Sequence, residues 1–357
     1  PNEKGTSTII AARHIISTGQ SPWTSDNSAI VRRVPINKSA RGGPAFPPKD
    51  GLPWACGRDG RIEAEVEIDG KIKNLAVILK TNNGSAIKQF KINDKPTTKP
   101  KFIQLLSTVI FSPDLIDVLM FEPRQRRLFL DSYVSKVDIE YQDIAQQYEK
   151  SLRQRNSLLK MLSKKNTISD SDKNSLRFWT ESLINFGTSI TLKRIDFVER
   201  INQVNKKLYP NSMRYRPSLD INMLETLADS DYVKKVYKKM LNEKFRKELI
   251  LGITLVGPHR DDWILTYNGK NLNKYGSRGE KRMAIADIAF KMNQLLIEDY
   301  KEKPVILLDD ISSELDKKNI ERLLKEKILP EQQTIMTTTD LKKLLKYIGE
   351  KHQVIEL

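Results

Sequence analysis

A single cysteine, Cys56, stands among 357 residues. One thiol excludes an internal disulfide and any zinc site built on several thiolates, and it fits a reducing, cytoplasmic setting. Histidine is nearly as scarce, with 3 residues, too few to suggest a histidine metal set. No apolar run approaches the roughly 18 residues that span a bilayer, and no charged-then-apolar leader opens the chain; a membrane partner is not expected. Internal repeats, recognition-helix patterns and zinc-finger spacings are also missing, which excludes the common modes of reading base sequence. What the chain has in excess is positive charge: 61 Lys and Arg against 45 Asp and Glu, a formal +16. That balance favours a polyanionic partner, nucleic acid first, held through its backbone and therefore sensitive to salt. Basic composition by itself also fits a lysine-rich proteome.

The length allows one large split domain or two domains. Ile9, Ala12, Ile15 and Ile16 recur at helical spacing directly after Gly5-Thr6-Ser7, so a loop is expected to open onto a helix from Thr8. Residues 35–60 hold five prolines and five glycines and read as a long loop. Beyond them, Ile62 to Ile68 alternates apolar and charged residues, Asp69-Gly70 turns, and Leu75 to Leu79 forms a second run: a β-hairpin. Two helical stripes follow, Val137, Tyr141, Ile144, Tyr148 and Leu152, then Leu176, Trp179, Leu183, Phe186 and onward to Leu208. The polar segment Ser163 to Ser175 between them suits a turn joining an antiparallel pair. From Ile253 strand-like runs return, Ile253 to Val256, Trp263 to Tyr267, Val305 to Leu308 and Gln333 to Thr337, with helical segments near 282–300 and 317–327. The pattern predicts an α/β head made from both chain ends, residues 1–131 and 250–357, with a helical arm, 132–249, inserted between. The opening lacks a strand that the later motifs call for, so the chain reads as shortened at its N-terminus.

The chemistry-bearing residues begin with Val305-Ile306-Leu307-Leu308-Asp309-Asp310. A buried apolar strand places an acid rigidly at its C-terminal end, where doubly wound sheets bind ligands. Asp309 is the candidate Mg²⁺ ligand, and Asp310 the candidate catalytic residue that orients or deprotonates an attacking water. A strand ending in an acidic turn explains the pair equally well when it stands alone. Upstream, Ser277-Arg278-Gly279-Glu280-Lys281-Arg282 opens a helix. Exposed amides, a serine hydroxyl and the positive dipole end suit it to a γ-phosphate; Ser277, Gly279, Glu280 and Arg282 are the candidates, and a simple capping box is the plain alternative. In ATP-binding heads of the ABC type such a segment acts on the nucleotide of the other subunit. Asp316, after Ser312-Ser313-Glu314-Leu315, joins the nucleotide set. Pro1, Asn2, Glu3, Lys4, Gly5, Thr6 and Ser7 fit a phosphate loop, G-x-x-x-x-G-K-[ST], from its second position. Ser7 would ligate Mg²⁺, while Thr6 stands where the phosphate-binding lysine belongs. Loss of one charge-assisted hydrogen bond weakens nucleotide binding about ten- to hundredfold.

Together these motifs resemble the RecF family of bacterial recombination-repair proteins, relatives of SMC heads. The likeness extends to Ser17-Thr18-Gly19-Gln20-Ser21, Phe111-Ser112-Pro113-Asp114-Leu115, Pro123 to Asp131, Gln154 to Lys160 and the specific Gly257-Pro258-His259-Arg260-Asp261-Asp262. It implies an ABC-type P-loop head with an inserted helical arm, ATP and Mg²⁺ as cofactors, and an ATP-dependent homodimer. It also implies association with single-stranded and gapped duplex DNA, recombination mediator proteins as partners, and roles in recombinase loading, replication and the SOS response. Two readings stand beside each other: a weak ATPase of the ABC/SMC type, and, because of Thr6, a non-hydrolysing DNA-binding scaffold. Lysine clusters at Lys234, Lys235, Lys238, Lys239, Lys244, Arg246 and Lys247, and Lys150, Arg153, Arg155 and Lys160, are equally DNA tracks or solvated helix faces.

Overall fold

A computed structural model describes residues 3–18, 60–68, 70–82, 85–112, 122–165, 167–222, 229–300, 303–311, 317–328, 331–348 and 352–355. They fall into two compact units, Pro1–Leu115 with Lys301–Leu357, and Ile116–Tyr300. Packing thus parts the chain after Leu115 and Tyr300, whereas the sequence pattern suggests 131 and 249.

Helix α1 (Glu3–Thr18) buries Ile10, Ile15 and Ile16 at helical spacing. It begins at Glu3, so Gly5-Thr6-Ser7, expected as a loop before Thr8, forms part of its first turns. An antiparallel sheet follows, β1 (Gly60–Ile68), β2 (Lys71–Asn82), β3 (Ser85–Ile92) and β4 (Lys95–Thr97), in that order. The hairpin anticipated around Gly70 pairs Ile62 with Val77 and Ile68 with Lys71. The two further strands escape a sequence reading because Lys88, Lys91 and Lys95 break their apolar pattern; Asn93 (φ 48°) and Asp94 (φ 60°) make the left-handed turn between them. Leu75, Val77, Leu79 and Phe90 on one face of this sheet pack with Ile15 and Ile16 and with Phe102 of helix α2 (Lys99–Ile103). Strand β5 (Thr108–Phe111) follows and is wholly buried.

The second unit holds α3 (Pro123–Val137), α4 (Tyr141–Leu162), α5 (Asp170–Gln203), β6 (Asn211–Arg216), α6 (Ser230–Leu251), a 3-10 turn at Pro258–Arg260, β7 (Asp262–Tyr267), β8 (Lys270–Asn271), α7 (Leu272–Tyr275) and α8 (Arg278–Tyr300). Helices α4 and α5 form the expected antiparallel hairpin, with Arg155 Nε donating to Thr180 Oγ1 at 3.1 Å. The turn is shorter than the polar segment suggests, because Ser169 caps α5 in a full capping box with Asp172. Leu208 falls outside the helix, which ends at Gln203. Residues 253–256, expected as a strand, are irregular: Thr254 N donates to Asn156 Oδ1 (2.7 Å) and Leu255 N to Glu248 Oε1 (2.7 Å), so side chains rather than a neighbouring strand satisfy them.

The chain re-enters the first unit as β9 (Val305–Leu308), α9 (Lys317–Arg322) continuing into a π-turn at Leu323–Lys327, β10 (Thr334–Met336) and α10 (Leu341–Leu345). Strands β10, β9 and β5 lie side by side in that order, both pairs parallel. Parallel strands are covered on both faces, which is why Val305 to Leu308 reads as an unbroken apolar run.

Candidate functional site

The C-terminal edge of the three-stranded parallel sheet carries the two acids. Asp309 N donates to Phe111 O (2.9 Å) and Thr337 N to Leu308 O (2.9 Å), so the ladder runs to the last residue before the carboxylates. Asp309 is buried, 4 % exposed, and its Oδ1 accepts a hydrogen bond from Thr337 Oγ1 at 2.6 Å. The same hydroxyl accepts from Asp310 N at 3.1 Å, at a residue whose φ is 42°. One threonine therefore fixes both acids: it orients the first carboxylate and holds the backbone of the second in a left-handed conformation that a non-glycine residue adopts uncommonly. Sequence reading missed Thr337; the signal available was a hydroxyl residue directly after the strand next to the acidic one.

Helix α1 packs on β5 and β9. Its Ser17 hydroxyl bonds the Thr108 hydroxyl at the start of β5. That contact places the C-terminal turn of α1 at the beginning of β5. Pro1, Asn2 and Asp316 lie outside the described residues, as do residues 19–21, 35–59, 113–115 and 312–315 of the segments singled out above.

The other predicted residues lie in the second unit. Ser277 and Glu280 make a reciprocal capping box at the start of α8: Ser277 N donates to Glu280 Oε2 (2.7 Å), and Glu280 N to Ser277 Oγ (3.3 Å). The Ser277 backbone N–H and then its side chain hold the exposed Glu280 carboxyl below its ordinary range. A Cβ on Gly279 would meet open space, and Arg282 is half-buried in the second turn.

Gly257 to Asp262 turns out to be the junction of a buried ionic network. Arg126 pairs bidentately with Asp262 (2.6 and 2.7 Å). Arg194 grips both oxygens of Asp131 at 2.9 Å and reaches Pro258 O (2.9 Å) and Asp261 Oδ2 (3.2 Å). The carboxylates of this motif thus pair with arginines from α3 and α5, not with the adjacent Arg260, which bonds Thr254 O. Burial, and then Asp261, push the Tyr215 phenol well up, so it stays protonated and donates to that carboxylate. His259 Nε2 faces Thr254 O (3.1 Å), so it carries the proton and Nδ1 accepts from Tyr148 Oη (2.7 Å). Burial lowers this imidazole to about 4 and keeps it neutral. Gly257 has φ 126°, and a Cβ there would lie 1.9 Å from Tyr237 Oη; only glycine fits. Arg155, a candidate DNA contact from its place among basic residues, is instead 2 % exposed and paired at 2.6 Å with Glu248, 0 % exposed.

No helix among the described residues is long and apolar enough to cross a membrane. Nor do those residues gather three or more His, Cys, Asp or Glu for a metal. A Mg²⁺ ion does not require such a cage, since it keeps waters and binds through one or two carboxylates plus phosphate oxygens. A buried, hydroxyl-oriented Asp309 fits that demand.

A parallel sheet with two acids at its C-terminal edge, packed against helix α1, defines an α/β protein. No protein-family model matches the chain. "DNA replication and repair protein RecF" of Natranaerobius thermophilus is 32 % identical over 297 residues, covering 78 % of this chain and 74 % of that protein. The RecF protein of Acetivibrio thermocellus is 32 % identical over 308 residues, 80 % and 81 % of the two chains. Among solved structures, that of the recombination mediator protein RecF with ATP, in the RecFOR pathway, superimposes with TM-score 0.75 at 25 % identity, covering 94 % of this chain and 84 % of that one. The RecF-ATPrS structure gives TM-score 0.74 over 95 % and 85 %. The chain belongs to the RecF family, and its α/β fold is that of the solved RecF structures.

Proposed function

We propose that this chain binds ATP with Mg²⁺ and, as a nucleotide-closed homodimer, associates with single-stranded and gapped duplex DNA in recombinational repair. The observation that carries the reading is the Asp309–Thr337–Asp310 arrangement at the C-terminal edge of the parallel sheet. In this reading the amides of residues 3–7 at the start of α1 receive phosphates, with Ser7 and Asp309 holding Mg²⁺. The ion, when bound, neutralises charge on the β- and γ-phosphate oxygens. Asp310 orients the attacking water and takes its proton. Ser277, Gly279, Glu280 and Arg282 serve the nucleotide of the partner copy, which is why the site is complete only in a dimer; Asp316 completes the set. The +16 charge supplies the attraction to DNA. Recombination mediator proteins, recombinase loading, the SOS response and a cytoplasmic location follow from the RecF resemblance.

A second reading, a non-hydrolysing DNA-binding scaffold with a degenerate phosphate loop, is favoured by Thr6 in place of the phosphate-loop lysine. Nucleotide binding and Mg²⁺-dependent turnover, measured on the parent and on Asp310→Asn, separate the two. Turnover that disappears in Asp310→Asn supports the ATPase; binding without turnover in both supports the scaffold. Absence of nucleotide binding at millimolar ATP and Mg²⁺ defeats the first reading and leaves the scaffold.

A further inference from the structure

Helix α6 ends in the run Leu249-Ile250-Leu251-Gly252-Ile253, and most of it faces water: Ile250 is 78 %, Leu251 51 % and Ile253 39 % exposed. Gly252, at φ 67°, caps the helix and lies against the last turn of α4, where its Cβ would stand 3.3 Å from Lys160 Cα. Met161, 40 % exposed, follows on that turn, so four apolar side chains share one end of the helical unit.

Two observations set this cluster apart from a frayed helix end. It is fixed on both sides by buried groups. Glu248 accepts from Arg155 Nη2 (2.6 Å) before the run and from Leu255 N (2.7 Å) after it. Asn156 Oδ1 takes both Thr254 N and Thr254 Oγ1 at 2.7 Å. The apolar groups are therefore presented by a pre-ordered backbone, which removes much of the entropy cost of docking a partner. The exposed charged residues within four positions of the run on α6 and at the end of α4 are, moreover, all cationic. Lys247 stands three and four residues before Ile250 and Leu251, hence on the same helix face, with Lys244 one turn further back. Lys160 and Lys164 are exposed on the α4 side. The nearby acid Glu248 is consumed by Arg155, and Glu243 faces Lys239 at 3.9 Å.

We infer that this end of α6 is a docking surface for an acidic amphipathic segment of a partner protein, its apolar face seated on Ile250, Leu251, Ile253 and Met161 and its carboxylates on Lys160 and Lys247. A contiguous exposed apolar patch on a rigid frame marks an interaction site. Its lysine rim selects the sign of the partner. The surface is independent of the nucleotide reading, since it uses none of those residues.

The test uses the full chain and three labelled probes: a helical peptide with leucines along one face and glutamates elsewhere, the same peptide with lysine in place of glutamate, and a single-stranded oligonucleotide. Binding of the acidic peptide, and not the basic one, is expected at physiological ionic strength. Its affinity falls about tenfold or more in Ile250→Ser/Leu251→Ser and in Lys160→Glu/Lys247→Glu, while Ile72→Ser, an exposed apolar control on β2, binds as the parent does. All these side chains are exposed, so unfolding midpoints stay in place and a loss of binding reports the surface. Failure of the acidic peptide to bind, or equal binding by the apolar double variant, overturns the inference. So does oligonucleotide binding that needs Lys160 and Lys247 but not Ile250 and Leu251, which would make the face one for nucleic acid.

Discussion

Two buried carboxylates of the helical unit and one at the edge of the parallel sheet are held in different ways. In the helical unit, Glu248 and Asp261 are oriented by guanidinium ions, Arg155 and Arg194, brought from other helices. At the edge of the parallel sheet, Asp309 is oriented by a neutral hydroxyl, that of Thr337. An arginine neutralises the acid that it positions, and the result is a structural tie. A hydroxyl positions an acid without neutralising it. Similar burial is thus met by a charged donor in one case and by a neutral one in the other.

The largest expected effect tests the tie. Glu248→Ala leaves Arg155 buried without its counter-charge and is expected to cost about 3–5 kcal/mol in denaturant unfolding. The paired replacement Arg155→Met/Glu248→Leu is expected to recover most of that loss; equal destabilisation by both would mean that the helices do not depend on charge pairing here.

Next in size is acid sensitivity of the same unit. His259 has its folded-state value lowered to about 4 from 6.5 by burial. Between those values the unfolded chain binds the proton and the folded one does not, so stability rises with pH through this window and is lost as pH falls from about 6.5 toward 4. The full shift corresponds to about 3 kcal/mol. His259→Gln should flatten the decline in unfolding midpoint between neutral pH and pH about 4; an unchanged slope would assign the decline to other groups.

The smallest effect on stability belongs to the sheet edge. Thr337→Val is expected to cost only about 1 kcal/mol, the net worth of an ordinary hydrogen bond. It should nevertheless weaken Mg²⁺-dependent nucleotide binding about tenfold, with Thr337→Ser restoring it. Loss of binding that is equal with and without Mg²⁺ would show that the threonine acts on the fold alone, and would erase the contrast between the units.

Much of the molecule is legible in the order of its residues. The hairpin around Gly70, the α4–α5 pair and the strand of Val305 to Leu308 follow from alternation, helical spacing and an unbroken apolar run, each a local signal. Strands β3 and β4 are not legible, because lysines interrupt their pattern. The segment after Ile253 resembles a strand in composition, yet Asn156 and Glu248, outside the segment, take its amides. Within the candidate site, Asp309 and Asp310 stand out as acids ending a strand. Thr337 does not, since only the pairing of β9 with β10 brings it beside them.

Sequence alone determined the classes of residue present: too few thiols and imidazoles for a zinc site, an excess of cations, and acids, glycines and serines at the spacings of a nucleotide-binding head. Those are properties of chain order and local geometry. Only tertiary structure decided which charges are paired in the interior. Arg155 and the GPHRDD acids look alike on paper to any exposed cation or catalytic acid. Pairing across roughly 70 to 140 positions locks them inside, because a buried charge is tolerated only beside a counter-charge. Asp309 owes its place beside the Thr337 hydroxyl to the parallel pairing of β9 with β10.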